Sequence, residues 1–226
     1  MEARVVLSLH LVRHAESEKN LANIPGGRGA GLTVRGRMQA AQIAERIKSF
    51  GTVDWLLLTA PSLQTFETAE IIGAVTGLSP IVEPLLRGID LGELAGLPIE
   101  HAEFRFPASA ASMQLWRDGN IEISDLKIPG LESPWAFYRR GLEAYFRMPR
   151  KGDVMLFCNT SVMILFVHIF NRVTPRSGDG YKVIQFDNIE IYTISEPTHF
   201  RSWARKVLRK LGGDLPQQFA SGRELP

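Results

Sequence analysis

Short apolar segments alternate with helical patterns through most of the chain, and this alternation restricts the possible folds more than any other feature of the sequence. Apolar runs of about four to eight residues are typical of strands buried on both faces of a parallel sheet, and the helices between them form the crossovers. The sequence therefore predicts an α/β domain, a three-layer sandwich in which helices cover both faces of a mostly parallel central sheet. We predict one strand that ends at 13–14, further strands at 53–60, 81–86 and 153–159, and helices at 31–47, 65–77, 135–146 and 161–173.

Capping residues and polarity patterns add detail to three elements. The helix at 31–47 begins after Thr33, a residue type that caps helix N-termini, and the helix at 65–77 is predicted to stop at Gly77. Residues 183–194 alternate in polarity without a crossover, which predicts an edge or antiparallel strand. The apolar face of the first of these helices is predicted to consist of Leu32, Met38, Ile43 and Ile47.

One long stretch, 98–134, interrupts the periodic pattern. Pro, Ser and Gly alternate there with aromatic residues such as Phe104 and Trp116. A segment of this length that carries aromatic side chains is more typical of a cap over a site than of a structureless loop. We therefore predict a single domain over 1–200 with a cap or lid insertion, followed by a basic C-terminal helix and tail at 201–226.

The composition argues against several functional classes. A net charge of +2 gives no general reason to expect nucleic acid or a membrane as a partner. We interpret the basic stretch at 201–213 as a solvated amphipathic helix, with an anion- or lipid-binding patch as the alternative. The single cysteine, Cys158, excludes an internal disulfide and fits a cytoplasmic location. The five histidines lack the spacing of metal ligands, so we expect no metal and no cofactor. The expected partner is a small-molecule ligand, with a homodimer as a possible assembly.

A polar pair ends the first predicted strand. Residues 9–17 read LHLVRHAES, so that the strand runs directly into Arg13 and His14. In open α/β sheets, ligands bind at the carboxyl ends of the strands. We therefore expect His14 to face solvent at a strand end where chemistry takes place.

The motif at this strand end resembles the histidine phosphatase superfamily, whose members are phosphoglycerate-mutase-like. The resemblance implies that the first histidine accepts a phosphoryl group, that two arginines and a second histidine hold the phosphate, and that a carboxylic acid protonates the leaving oxygen. Such chemistry depends mainly on positioning and on neutralising negative charge. The matching segments are Arg13 to Ser17 with Asn20, Leu32-Thr33, Gly36, Gln39-Ala40, and residues 59–72, 85–97, 130–133 and 153–161.

The family pattern is only partly present when it is carried over residue by residue. Arg13, His14 and Asn20 stand where the resemblance places the first arginine, the nucleophile and an assisting asparagine. Gln64 stands at the position of the second arginine, and Asn159 stands at that of the second histidine. The position of the acid, directly after Arg87, is occupied by Gly88.

These differences favour a changed function. A charge-assisted hydrogen bond contributes about 1.5–3 kcal/mol, and loss of a general acid costs about 10²–10⁴ in rate, so efficient phosphomonoester hydrolysis is not expected. Three interpretations stay open. The first is an enzyme that uses His14 for acid–base or hydrogen-bond chemistry on a neutral or carboxylate-bearing substrate that is partly aromatic or apolar. The second is a non-catalytic binding or scaffold protein, and the third is a weak phosphatase that acts through phospho-His14.

The candidate site residues follow from this comparison. We predict catalytic roles for His14 and Arg13, and we interpret His168 as a core histidine and Cys158 as a buried strand residue. Residues that could rebuild a phosphate site are Arg28, Arg37, Asp90 and Glu93. The predicted substrate-binding residues are Asn20, Gln64, Asn159, Glu16 and Arg87.

Overall fold

A five-stranded, mostly parallel sheet forms the centre of the computed structural model, which describes residues 7–51 and 55–217. The strands are β1 (Leu7–Arg13), β2 (Leu56–Thr59), β3 (Ile81–Val82), β4 (Gly152–Cys158) and β5 (Ile191–Ser195). Their order across the sheet is β3-β2-β4-β1-β5. Strands β1 to β4 are parallel, whereas β5 runs antiparallel to β1 at the edge. The predicted fold class is therefore confirmed.

Helices cover both faces of this sheet and make the three layers. Val12 and Phe157 point towards one face and pack with side chains of α2 and α3, while Leu11 and Leu156 point towards the other face and pack with α6, α7 and α8. The helices within the described residues are α1 (Glu18–Leu21), α2 (Val34–Lys48), α3 (Leu63–Thr76), α4 (Ile99–Arg105), α5 (Pro107–Arg117), α6 (Pro134–Arg147), α7 (Thr160–Phe170) and α8 (Phe200–Lys210).

The predicted N-cap of α2 and the predicted stop of α3 are confirmed, although α3 begins at Leu63 rather than at 65. The predicted apolar face of α2 is wrong in part. The Thr33 hydroxyl accepts a hydrogen bond from Gly36 N at 2.9 Å, and Gly77 ends α3 with a φ of 76°. Met38 is 67% exposed, because the buried stripe of α2 is built from small residues. A side chain at Gly36 would meet the Glu16 carbonyl oxygen at 1.9 Å. The buried stripe is Gly36, Ala40, Ala44 and Ile47.

Two predicted strands are shorter than their sequence patterns indicated. The strand predicted at 81–86 ends at Val82, because Pro84 lacks an N–H and begins a 3-10 turn. The strand predicted at 183–194 begins only at Ile191. Its antiparallel position at the sheet edge is confirmed. The residues before it turn through Ile189, whose φ is 64°.

The insertion at 98–134 contains helices α4 and α5, which the broken periodicity did not reveal. Both helices are short and are separated at Pro107, so neither repeats its apolar pattern often enough to be recognised. Trp116 packs into the main core. The N–H of Ile99 donates to the carbonyl of Asn23 at 3.2 Å, which ties the insertion to the loop after α1. Its role as a lid stays a prediction.

Helix α8 packs into the same core as α6, although we predicted that the domain ends at residue 200. Phe200 and Leu208 are fully buried there, and the basic residues occupy the remaining faces. Residues 218–226 of the predicted tail lie outside the described residues. In the part of the chain that the structure describes, no helix is long and apolar enough to cross a membrane.

Candidate functional site

The carboxyl ends of β1 and β4 meet, and they bring His14 next to Asn159. Arg13 pairs with Cys158 in the parallel register, and His14 N donates to the Cys158 carbonyl at 3.2 Å. Because adjacent strands lie about 4.8 Å apart, the residues that follow these two strands share one edge of the sheet. The predicted meeting of these strand ends is confirmed.

His14 is buried, whereas we expected it to face solvent. Only 5% of the residue is exposed. The loop that precedes β5 contacts the backbone of this strand end, where Ile189 N donates to the Arg13 carbonyl. Its Nδ1 lies 2.7 Å from the carbonyl oxygen of Ala15, an acceptor, so Nδ1 carries the proton and Nε2 carries the lone pair. Within the described residues no protein group is hydrogen-bonded to Nε2. The ring is thus fixed in orientation while its basic nitrogen stays available.

The charge state of His14 follows from this environment. Burial lowers the pKa of His14 to about 4, and the positive charges of Arg13 and Lys19 act in the same direction, against the hydrogen bond to Ala15. The imidazole is therefore neutral at pH 7. A neutral imidazole can accept a proton or attack an electrophile, but it has no proton on Nε2 to donate.

Arg13 brings a positive charge to the strand end. Its guanidinium donates to the carbonyl of Phe186, and its Nε is buried without a hydrogen-bond partner. Burial lowers the pKa of Arg13, and the negative charges of Asp187 and Glu190 act in the opposite direction. No carboxylate of the described residues lies within ion-pair distance of this guanidinium. An anionic ligand group could supply that missing partner.

Gln64 and Asn159 occupy the two changed phosphate positions and contact each other. The Nε2 of Gln64 donates to the Oδ1 of Asn159 at 3.2 Å, and its Oε1 accepts from Ala30 N at 3.1 Å. Gln64 is only 5% exposed. The Nδ2 of Asn159 lies 3.5 Å from the hydroxyl of Ser62. Two neutral amides thus face each other where the family resemblance implies two cationic side chains.

The position of the expected acid adjoins the amide of Asn159 and carries no side chain. A Cβ at Gly88 would lie 3.3 Å from the Ser161 hydroxyl and 3.6 Å from the Nδ2 of Asn159. Neither nearby carboxylate reaches this place, because Asp90 accepts from Gly92 N at 3.0 Å and Glu93 accepts from the Ser109 hydroxyl at 2.6 Å.

Three other residues that we predicted to bind the substrate form hydrogen bonds or ion pairs with other parts of the protein. The carboxylate of Glu16 accepts from the Thr33 hydroxyl at 2.8 Å and pairs with Arg35 at 3.2 Å, so it anchors the start of α2. Arg87 forms an ion pair with Glu132 at 3.2 Å, and the Oδ1 of Asn20 accepts from Ser17 N at 3.0 Å. Their contact with a substrate stays a prediction.

The two remaining arginines lie at the surface. Arg37 pairs with Glu67 at 3.1 Å, and Arg28 is exposed on the loop before Ala30. Neither guanidinium is hydrogen-bonded to His14, Gln64 or Asn159 in the described structure.

Sequence reasoning missed Asn188, which closes the site from the side of β5. Its Nδ2 donates to the His14 carbonyl at 2.8 Å and lies 3.4 Å from the Oδ1 of Asn20. The following N–H, of Ile189, donates to the Arg13 carbonyl at 3.1 Å. The Asp187-Asn188 dipeptide is a turn signal that could have been recognised inside the alternating stretch.

A buried ion pair that the sequence reasoning also missed supports the loop of Gly88. Arg140 and Glu132 interact at 2.8 Å, and the guanidinium also donates to the carbonyls of Leu85, Arg87 and Gly88. Arg140 follows Phe137 by three residues and so falls on the buried face of α6. An arginine on an apolar helix face was the available signal.

Two interpretations of buried residues are confirmed. The Nε2 of His168 lies 2.7 Å from the Lys182 carbonyl, and its ring packs 4.1 Å from that of Tyr181. Cys158 is fully buried, and burial raises the pKa of its thiol. No group of metal-ligating side chains occurs among residues 7–51 and 55–217.

Known proteins with similar sequences carry phosphoglycerate mutase names. The Proteus mirabilis protein named probable phosphoglycerate mutase GpmB is 40% identical over 90 residues, which are 39% of this chain and 41% of that protein. The protein of the same name from Erwinia tasmaniensis is 28% identical over 156 residues, or 67% of this chain and 68% of the relative. The chain thus aligns with about two fifths of the length of the first relative.

Solved structures with the same fold include phosphatases. A mycobacterial glucosyl-3-phosphoglycerate phosphatase in complex with VO3 superimposes with a TM-score of 0.67 at 20% identity, covering 82% of this chain and 91% of that one. YhfR from Bacillus stearothermophilus superimposes with a TM-score of 0.67 at 20% identity. The superposition covers 83% of this chain and 90% of that one. The model of the histidine phosphatase superfamily (branch 1) matches residues 9–204. Because this match includes the Arg13-His14 strand end and most of the sheet, the chain belongs to the histidine phosphatase superfamily.

Proposed function

We propose that this protein is a divergent histidine-phosphatase-fold enzyme that acts on a small molecule with a neutral polar or carboxylate head group, and that it hydrolyses phosphomonoesters poorly. The observation that carries the proposal is the amide pair of Gln64 and Asn159. It stands where the family pattern has an arginine and a histidine, and it lies beside a glycine in place of the acid.

The loss of charge opposes a dianionic phosphate. Replacing two cationic donors by amides removes about 3–6 kcal/mol of phosphate stabilisation, at about 1.5–3 kcal/mol for each charge-assisted hydrogen bond. Arg13 can still form a charge-assisted pair with one carboxylate. The amides can donate to or accept from a carbonyl, a hydroxyl or a carboxylate oxygen.

In this proposal His14 acts as a base or a hydrogen-bond acceptor through Nε2. Its neutral state at pH 7 and the fixed orientation of its ring support that role. A general acid would have to be protonated at the start of the reaction, which a pKa of about 4 disfavours. The aromatic or apolar body of the ligand stays a prediction from the sequence of the insertion.

One observation favours weak phosphomonoesterase activity as a second candidate. The hydrogen bond from Nδ1 to the Ala15 carbonyl leaves the lone pair on Nε2, which a phosphoryl acceptor requires. Relatives named phosphoglycerate mutase and a structural neighbour named phosphatase agree with this candidate. Hydrolysis through phospho-His14 would nevertheless proceed without the acid that protonates the leaving group.

A comparison of two chromogenic substrates tests the proposal. We expect p-nitrophenyl hydrogen succinate, which has a carboxylate and a neutral ester, to be turned over with a higher kcat/KM than p-nitrophenyl phosphate. The His14→Ala variant should lose this activity. The His101→Ala variant should keep it and serves as the matched control, because His101 is exposed on α4.

Calorimetry with benzoate and with inorganic phosphate adds a measurement of binding. Benzoate should bind more tightly than phosphate. Rapid hydrolysis of p-nitrophenyl phosphate that disappears in His14→Ala would refute the proposal in favour of a phosphatase. Binding without turnover of either substrate would identify a binding protein.

A further inference from the structure

A second polar network lies on β1, away from the strand end that carries His14. His10 precedes His14 by four residues, which is about 13 Å along a strand. Like Val12, it points towards the face of the sheet that α2 and α3 cover. Its Nε2 lies 3.0 Å from the Oδ1 of Asp153 on β4, and its Nδ1 lies 2.9 Å from the hydroxyl of Thr193 on β5. Three neighbouring strands therefore hold one imidazole ring in place.

This network uses both ring nitrogens of His10 within the protein. The carboxylate of Asp153 only accepts hydrogen bonds, so in the neutral imidazole Nε2 carries the proton. Nδ1 then accepts from the hydroxyl of Thr193. The network orients the ring, but in this state it offers no free donor to a ligand.

The fixed ring of His10 also orients the indole of Trp55. The two rings are stacked, with their centroids 4.4 Å apart and an angle of 9° between their planes. Trp55 is partly buried and packs against the core that lies under α2 and α3. An aromatic side chain that is already held in one orientation loses little conformational freedom when a ligand binds, which favours affinity.

A cavity of about 400 Å³ opens beside the stacked rings, between the C-terminal end of α2 and the sheet. Small-molecule sites typically have volumes of about 300–1,000 Å³. The lining contains His10 and Thr193 of the network and is otherwise mainly apolar or aromatic. These other lining residues are Phe50, Trp55, Met155 and Ile191, together with the cation Arg46.

Arg46 is the permanent cation of this lining. It is exposed in the last turn of α2. No carboxylate of residues 7–51 and 55–217 lies within ion-pair distance of its guanidinium. A guanidinium can bind a carboxylate through two parallel hydrogen bonds. The cavity thus combines an apolar, aromatic interior with one unpaired positive charge.

We propose that this cavity is a second binding site, separate from the site at His14, and that it takes a planar aromatic carboxylic acid. The aromatic body lies among Trp55, Phe50 and Met155, whose rings and thioether favour contact with another ring. The carboxylate pairs with Arg46. One acidic group suits the site, because the lining offers one permanent positive charge. The inference goes beyond the proposed function and does not depend on it.

The location of the site is tested by NMR of the indole N–H groups during titration of the protein with 2-naphthoate. The signal of Trp55, identified by its loss in Trp55→Phe, should shift. The signal of Trp203 should not, because Trp203 packs against the core on the other face of the sheet. An unchanged Trp55 signal would overturn the proposal, and so would equal shifts of all indole signals, which indicate non-specific adsorption.

Removal of the charge at Arg46 tests the assignment of the carboxylate. In Arg46→Met the affinity for 2-naphthoate, measured from the Trp55 signal, should fall by about 10-fold, the effect expected for one charge-assisted hydrogen bond. Arg46→Lys should retain more of the affinity. Arg209→Met is the matched control, because Arg209 is likewise exposed in the last turn of a helix, α8. Equal affinities of Arg46→Met and the wild type would overturn the role of Arg46.

Two further comparisons separate this cavity from the site at His14. His14→Ala should still show the Trp55 shift with 2-naphthoate, and Arg46→Met should turn over p-nitrophenyl hydrogen succinate as the wild type does. Loss of the Trp55 shift in His14→Ala would overturn a separate site. A wild type that shows the Trp55 shift but no turnover of the ester would count against the proposed function and would support this inference.

Discussion

The side-chain amides of Gln64 and Asn159, which are 95 residues apart in the chain, form a hydrogen bond of 3.2 Å across the candidate site. This bond joins the first turn of α3 to the end of β4. Each amide thereby satisfies part of the hydrogen-bonding capacity of the other without a ligand. An oxyanion at this place would have to compete with that bond and would gain no positive charge from either residue.

Restoring the two charges should reverse the preference for a ligand. We expect Gln64→Arg with Asn159→His to raise the affinity for inorganic phosphate by about 10-fold or more, since each new charge-assisted hydrogen bond contributes about 1.5–3 kcal/mol. The affinity for benzoate should fall, because a site shaped by amides must desolvate the added cations. Calorimetry with both ligands checks this, and unchanged affinities would show that these positions do not contact the anion.

Adding the acid should convert the same variant into a better phosphatase. A Cβ at Gly88 would lie 3.3 Å from the Ser161 hydroxyl and 3.6 Å from the Nδ2 of Asn159, so a side chain there requires only small shifts of flexible side-chain ends. Introducing Gly88→Glu into the double variant should raise kcat for p-nitrophenyl phosphate by about 10²–10⁴. Gly88→Gln is the matched control, because it has the same size but no proton to donate. Equal rates for the two triple variants would exclude an acid role at this position.

The unmodified protein should hydrolyse p-nitrophenyl phosphate at least about 10³-fold more slowly than a family member with the complete motif. The reason is that loss of one preorganised donor costs about 10²–10³ in rate. The comparison needs the His14→Ala variant, purified in the same way, to exclude contaminating phosphatases. A rate of several turnovers per second that disappears in His14→Ala would mean that other residues rebuild the phosphate site.

The buried imidazole of His14 should make stability depend on pH. Its pKa is about 4 in the folded protein and about 6.5 in an unfolded chain, so the unfolded state binds the proton first. The contribution of neutral His14 is present above pH 6.5 and is lost as the pH falls through 4. The loss is on the order of 3 kcal/mol, at about 1.4 kcal/mol per pKa unit.

Urea denaturation of the wild type and of His14→Gln between these pH values measures the effect. Glutamine does not titrate, so the free energy of unfolding of the variant should fall less on acidification. The burial of His168 lowers its pKa as well, but that contribution is common to both proteins and cancels in the difference. Parallel curves for the two proteins would contradict the burial of a neutral imidazole at this position.

The ion pair of Arg140 and Glu132 should be essential for the loop that contains Gly88. Arg140→Met leaves Glu132 without its closest partner and three backbone carbonyls without their donor. We expect the free energy of unfolding to fall by about 3–5 kcal/mol, which is typical when one partner of a buried pair is removed.

The double variant Arg140→Met with Glu132→Gln should be less destabilised than Arg140→Met alone, because the buried carboxylate is removed together with its closest partner. Arg87, which also pairs with Glu132, is half exposed and stays hydrated. Arg139→Met is the matched control, since Arg139 lies on the exposed side of the same helix and, among the described residues, pairs with Glu143 alone, at 3.6 Å. An equal loss of stability for Arg139→Met and Arg140→Met would contradict the proposed support of the loop.

Local sequence patterns determined the architecture and one half of the site. The alternation of apolar runs and helical periods predicted the three-layer fold, because strand burial and helix amphipathicity depend on the residue pattern of short stretches of chain. Thr33 and Gly77 marked helix ends for the same local reason. The strand that runs into Arg13-His14 placed both residues at the carboxyl edge of the sheet. The family resemblance identified Gln64 and Asn159 as the changed positions.

Tertiary structure alone decided how these residues interact. Nothing local indicates that the amides of Gln64 and Asn159 bond to each other, that Asn188 donates to the His14 carbonyl, or that Arg140 supports the loop of Gly88. These contacts join segments from different strands and helices, and they depend on which loops meet at one edge of the sheet. The burial of His14 is also a property of the folded chain, since the sequence pattern predicted a solvent-facing residue and the structure leaves only 5% of it exposed. That burial, rather than the sequence around His14, lowers its pKa and leaves the imidazole neutral at pH 7.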